Sequence, residues 1–187
     1  MTGYYNQRID AALKFAVKAH KHQVRKTDQD TPYVYHPICV GMILRDAGLS
    51  ENVVIAGILH DTIEDTDTKA EEIEEIFGLK VRELVESVSE NKNLPYDERK
   101  QKYLEVVLAG NDETKAISIA DSLHNINSLI DAVETQGEGV WKNFTKDGEL
   151  TAEHYIHKVE AILEVWPHPM AKEALAQAQK LKALTAK

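Results

Sequence analysis

The chain contains one cysteine, Cys39, so no intrachain disulfide can form and a metal site built only of thiolates is excluded. Core packing is the expectation for that residue. Long apolar runs are also missing. The stretch from Val53 to Leu59 is followed at once by His60-Asp61, whereas a bilayer-spanning helix needs about 20 apolar residues. No membrane partner is therefore expected. The opening MTGYYNQRID has no basic stretch leading into an apolar one, which makes the cytoplasm the expected location. Positive charge is short as well: the net charge of -9 repels nucleic acid phosphates over most of the surface and argues against a nucleic acid partner. A small anion could still bind through a local metal. Repeats, low-complexity tracts and Pro/Gly/Ser linkers are absent, so residues 1–187 are expected to form one unit, long enough to bury a core unaided. With 43% hydrophobic and 28% charged residues, the composition is that of an ordinary soluble protein. The sequence leaves the oligomeric state open.

What is present is helical periodicity, and no strand is expected. Ile9, Ala12, Leu13, Ala16 and His20 mark one face of a first helix. Pro37 suits the first turn of a second, which ends near Gly48. Ser50 caps a third whose Val53 to Leu59 run is apolar all round, the mark of a central buried helix. Thr68 and Glu71 fit a capping box for a short helix closed by Gly78, and Val81, Leu84, Val85 and Val88 supply the buried stripe of the next. Pro95 opens a segment through Leu108. Asp112 caps a long helix reaching about Ala132, and two further helices span Leu150 to Val165 and Pro169 to Leu184. The fold class expected is all-α.

Within that frame four residues suited to a divalent cation occur in order: His36, the adjacent pair His60-Asp61, and Asp121. Two imidazoles and two carboxylates fit poorly with a closed thiolate zinc centre and suit Mn²⁺ or a related octahedral ion that keeps open positions. Taken singly each has an ordinary structural role: His36 could orient a turn, His60 could be a satisfied core histidine, and Asp121 could pair with a base. The pair His60-Asp61 differs, because charge at the end of a wholly apolar helix is costly unless compensated, and a cation would compensate it. Glu64 and Asp65 follow three to five positions later and fall on the same side if the helix continues. One could deprotonate a water while the other orients it, or both could belong to a solvated acidic loop ending in Asp67. On the long helix Asp121, His124, Asn125 and Ser128 form a polar stripe. At the end of the first helix Arg25 and Lys26 could stack on a base and meet phosphate, or be a solvated basic helix end. Trp141 and Tyr155 could be pocket wall or core.

The pieces AHKHQVRK, TPYVYHP, ILHDTIEDTDT, FGLKVRELVESV and IADSLHN, in this order from Ala11 to Ile130, resemble the hydrolase domain of RelA/SpoT homologues and the free-standing small alarmone hydrolases of the HD superfamily. The resemblance implies an HD-type helical bundle around one Mn²⁺, held by His36, His60, Asp61 and Asp121. It implies that Glu64 and Asp65 activate and position water, that Asn125 meets the ribose, that Arg25 and Lys26 face base and phosphate, and that Ser128 lies near the base. The implied reaction is attack of water on the 3′-linked phosphorus of (p)ppGpp, releasing pyrophosphate and leaving GDP or GTP.

Where that family reads much like KLADRLHNMR, this chain reads SIADSLHNIN, with Ser118, Ser122 and Asn127 at positions expected to be basic. If these positions face the polyphosphate, the field on a polyanion is weaker than in the family. The alternatives are therefore a phosphatase of the same type for another nucleotide, such as NADPH (2′-phosphate) or (p)ppApp, and a nucleotide-binding module without turnover.

Overall fold

A computed structural model describes residues 5–144 and 146–186 of the chain. Among these residues there are ten α-helices and no strand; an isolated antiparallel bridge joins Val24 to Pro32. No helix is long and apolar enough to cross a membrane. The first helix, α1 (Gln7–Ala19), starts where the Asn6 side chain accepts from the backbone N–H of Arg8 and Ile9. Ala12 and Ala16 are buried completely, and His20 caps its end. The loop that follows folds back on itself, with Arg25 N–H donating to Thr31 O at 3.0 Å and Tyr33 N–H to Gln23 O at 2.9 Å. It delivers Arg25 and Tyr33 to one place.

Helix α2 (Tyr35–Asp46) has Pro37 in its first turn, and α3 (Glu51–Leu59) buries every residue from Val53 to Leu59. Ser50 occupies the cap position of α3 but makes no side-chain bond there. A cap is worth about 1 kcal/mol, whereas each large aliphatic side chain buried from Val53 onward contributes roughly 1.5–3 kcal/mol. Packing therefore decides where this helix lies. A Cβ at Gly41 would meet Ile58 Cγ1 at 2.5 Å, and one at Gly57 would collide with Leu44 Cδ1. These two glycines let α2 and α3 approach closely, which brings His36 near His60.

Helix α3 does not continue through HDTIEDT. Its last carbonyls are taken by side chains: Gly57 O accepts from His60 Nδ1 at 2.8 Å and Leu59 O from Thr62 Oγ1 at 2.7 Å. A separate short helix, α4 (Thr62–Asp65), follows. The capping box of α5 (Ala70–Phe77) lies one residue later than expected: Glu72 Oε2 accepts from the Lys69 backbone N–H at 2.9 Å, while Thr68 N–H turns to Thr66 Oγ1. Gly78, at φ 91°, separates α5 from α6 (Leu79–Ser87). Next come α7 (Tyr96–Ala109) and the 25-residue α8 (Asp112–Gln136). Asn111, not Asp112, caps α8, accepting from Thr114 N–H at 2.9 Å, and the helix runs a turn past Ala132. A 3₁₀ segment (Gly137–Asn143), α9 (Gly148–Val165) and α10 (Pro169–Thr185) close the chain.

The main core gathers α1 to α3 and α5 to α8 with parts of α9 and α10, around Leu44, Ile55, Leu59, Ile117 and Ile162. A smaller apolar cluster joins Ile126, Ile130, Trp141, Ala152 and Leu181 at the far end of α8. The apolar face of α8 joins both cores, with Ala116, Ala120 and Leu123 in the main one and Ile126 in the smaller, while Asp121 and Asn125 of its polar stripe open to a cavity near the middle of the helix. Trp141 belongs to the smaller core, as one of its two expected roles allowed.

Candidate metal centre and its cavity

His36 comes from the first turn of α2, His60-Asp61 from the end of α3, and Asp121 from the middle of α8. One ligand atom from each of His36, His60 and Asp121 lies within 4.8 Å of the others. Asp61 completes the group: its Oδ2 is 3.0 Å from His60 Nε2 and 3.6 Å from His36 Nε2. Asp121 Oδ1 stands 3.2 Å from His36 Nε2 and 3.8 Å from His60 Nε2. All four residues chosen from the sequence thus converge.

The donor set fits a cation, and His60 carries the test. The Gly57 carbonyl can only accept, so Nδ1 of His60 bears the proton and Nε2 of the neutral ring presents a lone pair. That Nε2 is buried with no hydrogen-bond partner, facing two carboxylates. A lone pair against anions is repulsive, and a cation among them relieves it. Without a metal, a proton must serve. Burial would lower the His60 pKa, but Asp61 and Asp121 outweigh it and hold the imidazole well above its ordinary range. Burial likewise opposes ionisation of Asp121, yet His36, His60 and Lys158 keep it well below the usual carboxylate range.

His36 is aimed by a residue whose role the sequence did not disclose. Its Nδ1 lies 2.8 Å from Nδ1 of His124. Burial first, then the neighbouring His36 and Arg25, push the His124 pKa down to about 3, so His124 is neutral. In the tautomer with His124 Nδ1 accepting, the His36 proton sits on Nδ1 and its Nε2 lone pair is free for a cation.

Glu64 and Asp65 remain on the cavity wall although α3 ends before them. Glu64 Oε2 accepts from the Glu90 backbone N–H at 2.8 Å. Burial, reinforced by Glu90, Asp61 and Asp65, pushes its pKa up to about 7 against that hydrogen bond. Asp65 is paired with the Lys92 ammonium, and its Oδ2 lies 3.3 Å from the Tyr33 hydroxyl, which also donates to Asp61 Oδ2 at 2.6 Å.

The cavity beside these residues measures about 700 Å³, within the range of small-molecule and cofactor sites. Arg25 and Lys26 line it, as does Asn125. Arg25 Nη2 donates to Asn125 Oδ1 at 2.9 Å and lies over the Tyr33 ring, while Asn125 Nδ2 donates to Asp121 Oδ1 at 2.6 Å. Ser128 is half-buried and is not among the wall residues; Leu129 and Tyr155 are. The wall also holds cations the sequence reading missed: Lys92, Arg99, Lys100, Lys146 and Lys158. Arg99 and Lys100 pair with Glu90 at 2.8 and 2.6 Å.

The expectation about the absent basic residues needs correction. Ser118 and Ser122 are fully buried: Ser122 Oγ donates to Ser118 O at 2.8 Å, and Ser118 Oγ accepts from the Tyr103 hydroxyl at 2.9 Å. Asn127 is exposed and donates to Leu123 O. None of the three lines the cavity. The field there comes from Arg25, Lys26 and Lys92 together with cations of α7, α9 and the segment before α9.

The HD domain family matches residues 12–146. Human guanosine-3′,5′-bis(diphosphate) 3′-pyrophosphohydrolase MESH1 is 44% identical over 125 residues, covering 66% of this chain and 69% of that protein. The solved structure of a metazoan ortholog of SpoT, one that hydrolyses ppGpp, aligns over 98% of this chain and 99% of its own, with a TM-score of 0.77 at 28% identity. That of lmo0812 from Listeria monocytogenes EGD-e covers 79% of this chain and 99% of its own, with a TM-score of 0.70 at 35% identity.

Proposed function

This chain belongs to the HD domain family, and we propose that it is a metal-dependent hydrolase that removes the 3′-pyrophosphate of (p)ppGpp, leaving GDP or GTP. The observation that carries this reading is the partnerless Nε2 of His60, facing Asp61 and Asp121 on the wall of a cavity large enough for a nucleotide. Residues 1–187 act as one unit, in the cytoplasm and on a free nucleotide. His36, His60, Asp61 and Asp121 hold a divalent cation, with Mn²⁺ the ion best suited to mixed nitrogen and oxygen donors that leave positions open. When bound, that ion supplies Lewis acidity, easing deprotonation of a water and drawing charge from phosphorus.

The chain's own side chains account for the remaining steps. Glu64, its pKa pushed up to about 7, accepts a proton from the attacking water. Asp65, tied to Lys92 and Tyr33, orients that water. The new bond forms from the water oxygen to the 3′-linked phosphorus as the bond from phosphorus to the ribose 3′-oxygen breaks. That oxygen regains a proton, and pyrophosphate leaves. Arg25 stacks on the base, Lys26 meets phosphate, and Asn125, already oriented by Arg25 and Asp121, meets the ribose.

The test is incubation of the purified chain with ppGpp or NADPH, with Mn²⁺ or with chelator, followed by anion-exchange separation of products. GDP and pyrophosphate in equal amounts, only with metal, are expected. Orthophosphate from NADPH with ppGpp left intact would overturn the substrate, and no product from either would overturn the enzyme.

A further inference from the structure

The side chain of Lys158 is buried beside the candidate metal centre, and among the described residues its ammonium makes only a charge contact. It projects from α9, its side chain is 8% exposed, and Nζ lies 3.6 Å from Asp121 Oδ2 and 4.8 Å from the centre of the Tyr103 ring. Ammonium–carboxylate hydrogen bonds run to about 2.7–2.9 Å, so this is a charge contact that leaves the donors open. Among the described residues no hydrogen bond engages this ammonium. Lys92, Arg99 and Lys100 differ, Lys92 being held by Asp65 and the other two by Glu90, while Lys146, 3.6 Å from Asp97, is far more exposed than Lys158.

Charge balance shows what is missing. Two carboxylates, Asp61 and Asp121, cancel a divalent cation, and His36 and His60 are neutral as ligands. Lys158 is then a surplus positive charge in a buried place, which is costly until an anion joins it. The surplus is built in. Ser118 is small enough for the Tyr103 hydroxyl to settle on its Oγ, and the Tyr103 ring carries the Lys158 ammonium. A basic residue at position 118 would displace that tyrosine, so Ser118 helps to seat the ring against which Lys158 lies.

Resting on the hydrolase reading, we infer that Lys158 contacts the substrate: its ammonium receives a non-bridging oxygen of the phosphoryl group presented at the metal centre. It donates hydrogen bonds and transfers no proton. Its task is to bind the anion and to offset charge that grows on the phosphoryl oxygens during attack.

The probe is inorganic pyrophosphate titrated calorimetrically into the Mn²⁺-loaded protein, with bound manganese determined on the same sample. Lys158→Met should weaken pyrophosphate binding about tenfold or more, the loss of one charged hydrogen bond. Manganese should stay near one per chain and guanosine binding should not change. Lys158→Arg should keep most of the pyrophosphate affinity. Where the Met variant does not fold, Lys158→Gln gives the same comparison. Unchanged pyrophosphate affinity would overturn the inference. So would manganese lost together with affinity, because Lys158 would then only position Asp121. If the wild-type chain fails to turn over ppGpp the hydrolase reading falls, while the pyrophosphate titration still decides whether Lys158 is an anion receptor.

Discussion

The hydroxyl of Tyr33 donates a 2.6 Å hydrogen bond to Asp61 Oδ2, and the same oxygen lies 3.3 Å from Asp65 Oδ2. One phenol thus ties a proposed ligand carboxylate to the carboxylate proposed to orient water. Burial and both aspartates hold its pKa far above the usual phenol value, so it remains a donor at any working pH. Tyr33→Phe removes that donor while keeping the ring under Arg25. We expect kcat to fall about tenfold, for the loss of one charged hydrogen bond, with manganese content nearly unchanged. Rate and metal measured on one sample check this, and an unaltered kcat would remove Tyr33 from the site.

If the four converging side chains hold the metal as proposed, its retention depends on each of them. Asp61→Ala should abolish manganese binding and turnover together, since it removes the oxygen 3.0 Å from His60 Nε2. Elemental analysis after dialysis reads the first and product chromatography the second. Full activity of the wild-type chain in chelator would contradict the metal centre, because the attacking water would need another activator.

Glu64→Gln and Asp65→Asn separate water activation from ligation. Each should lower kcat by about 10²-fold or more while manganese occupancy stays near that of the wild type. Glu64→Gln should be the more severe, because Asp65 is engaged by Lys92. If both leave kcat unchanged, the pair is only an acidic stretch of the wall.

The raised pKa of Glu64 has a stability consequence in metal-free protein. Its carboxyl faces Glu90, Asp61 and Asp65, with Lys92 Nζ 4.0 Å away. The folded state binds the proton more tightly than the unfolded chain does, so this group's contribution is fully present below about pH 4.5 and is lost as pH rises through about 7. The interval corresponds to up to about 3 kcal/mol. With chelator present, Glu64→Gln should match the wild type in denaturant unfolding at low pH and become progressively more stable than it toward pH 8. A constant difference across that range would mean that Glu64 is not titrating there.

The readability of this chain follows from where each signal lives. The central helix was legible because an unbroken apolar run has one stable place, inside; the pair His60-Asp61 stood out because charge at the end of such a run demands compensation, and His36 and Asp121 were chosen as further donors and converge on that pair in the fold. The capping box of α5 slipped by one residue because Thr66 takes the Thr68 N–H in a local turn, a competition that spacing does not reveal. Tyr33, His124 and Lys158 act through contacts across 28, 88 and 37 residues respectively. Such contacts exist only once helices are packed. His154 and Lys158, four apart and therefore on one side of α9, offered a faint clue.

Ser122 tests the corrected view of the missing basic residues. From the sequence, restoring charge at this position would be expected to strengthen binding of a polyanion. In the fold its side chain is fully buried and its hydroxyl bonds to Ser118 O, with no part in the cavity wall. An arginine there must either overpack the core, at about 1–3 kcal/mol, or bury an unpaired guanidinium, which costs still more. Ser122→Arg should therefore lower Tm by about 4 °C or more for a chain of this size, with no fall in KM for ppGpp. Lys146→Ala, on the wall and partly exposed, should raise KM for ppGpp more than for a nucleoside monophosphate, since the lost attraction scales with ligand charge. Added salt should shrink that difference. A folded Ser122→Arg protein with improved KM for ppGpp alone would place position 122 against the polyphosphate and overturn its assignment to the core.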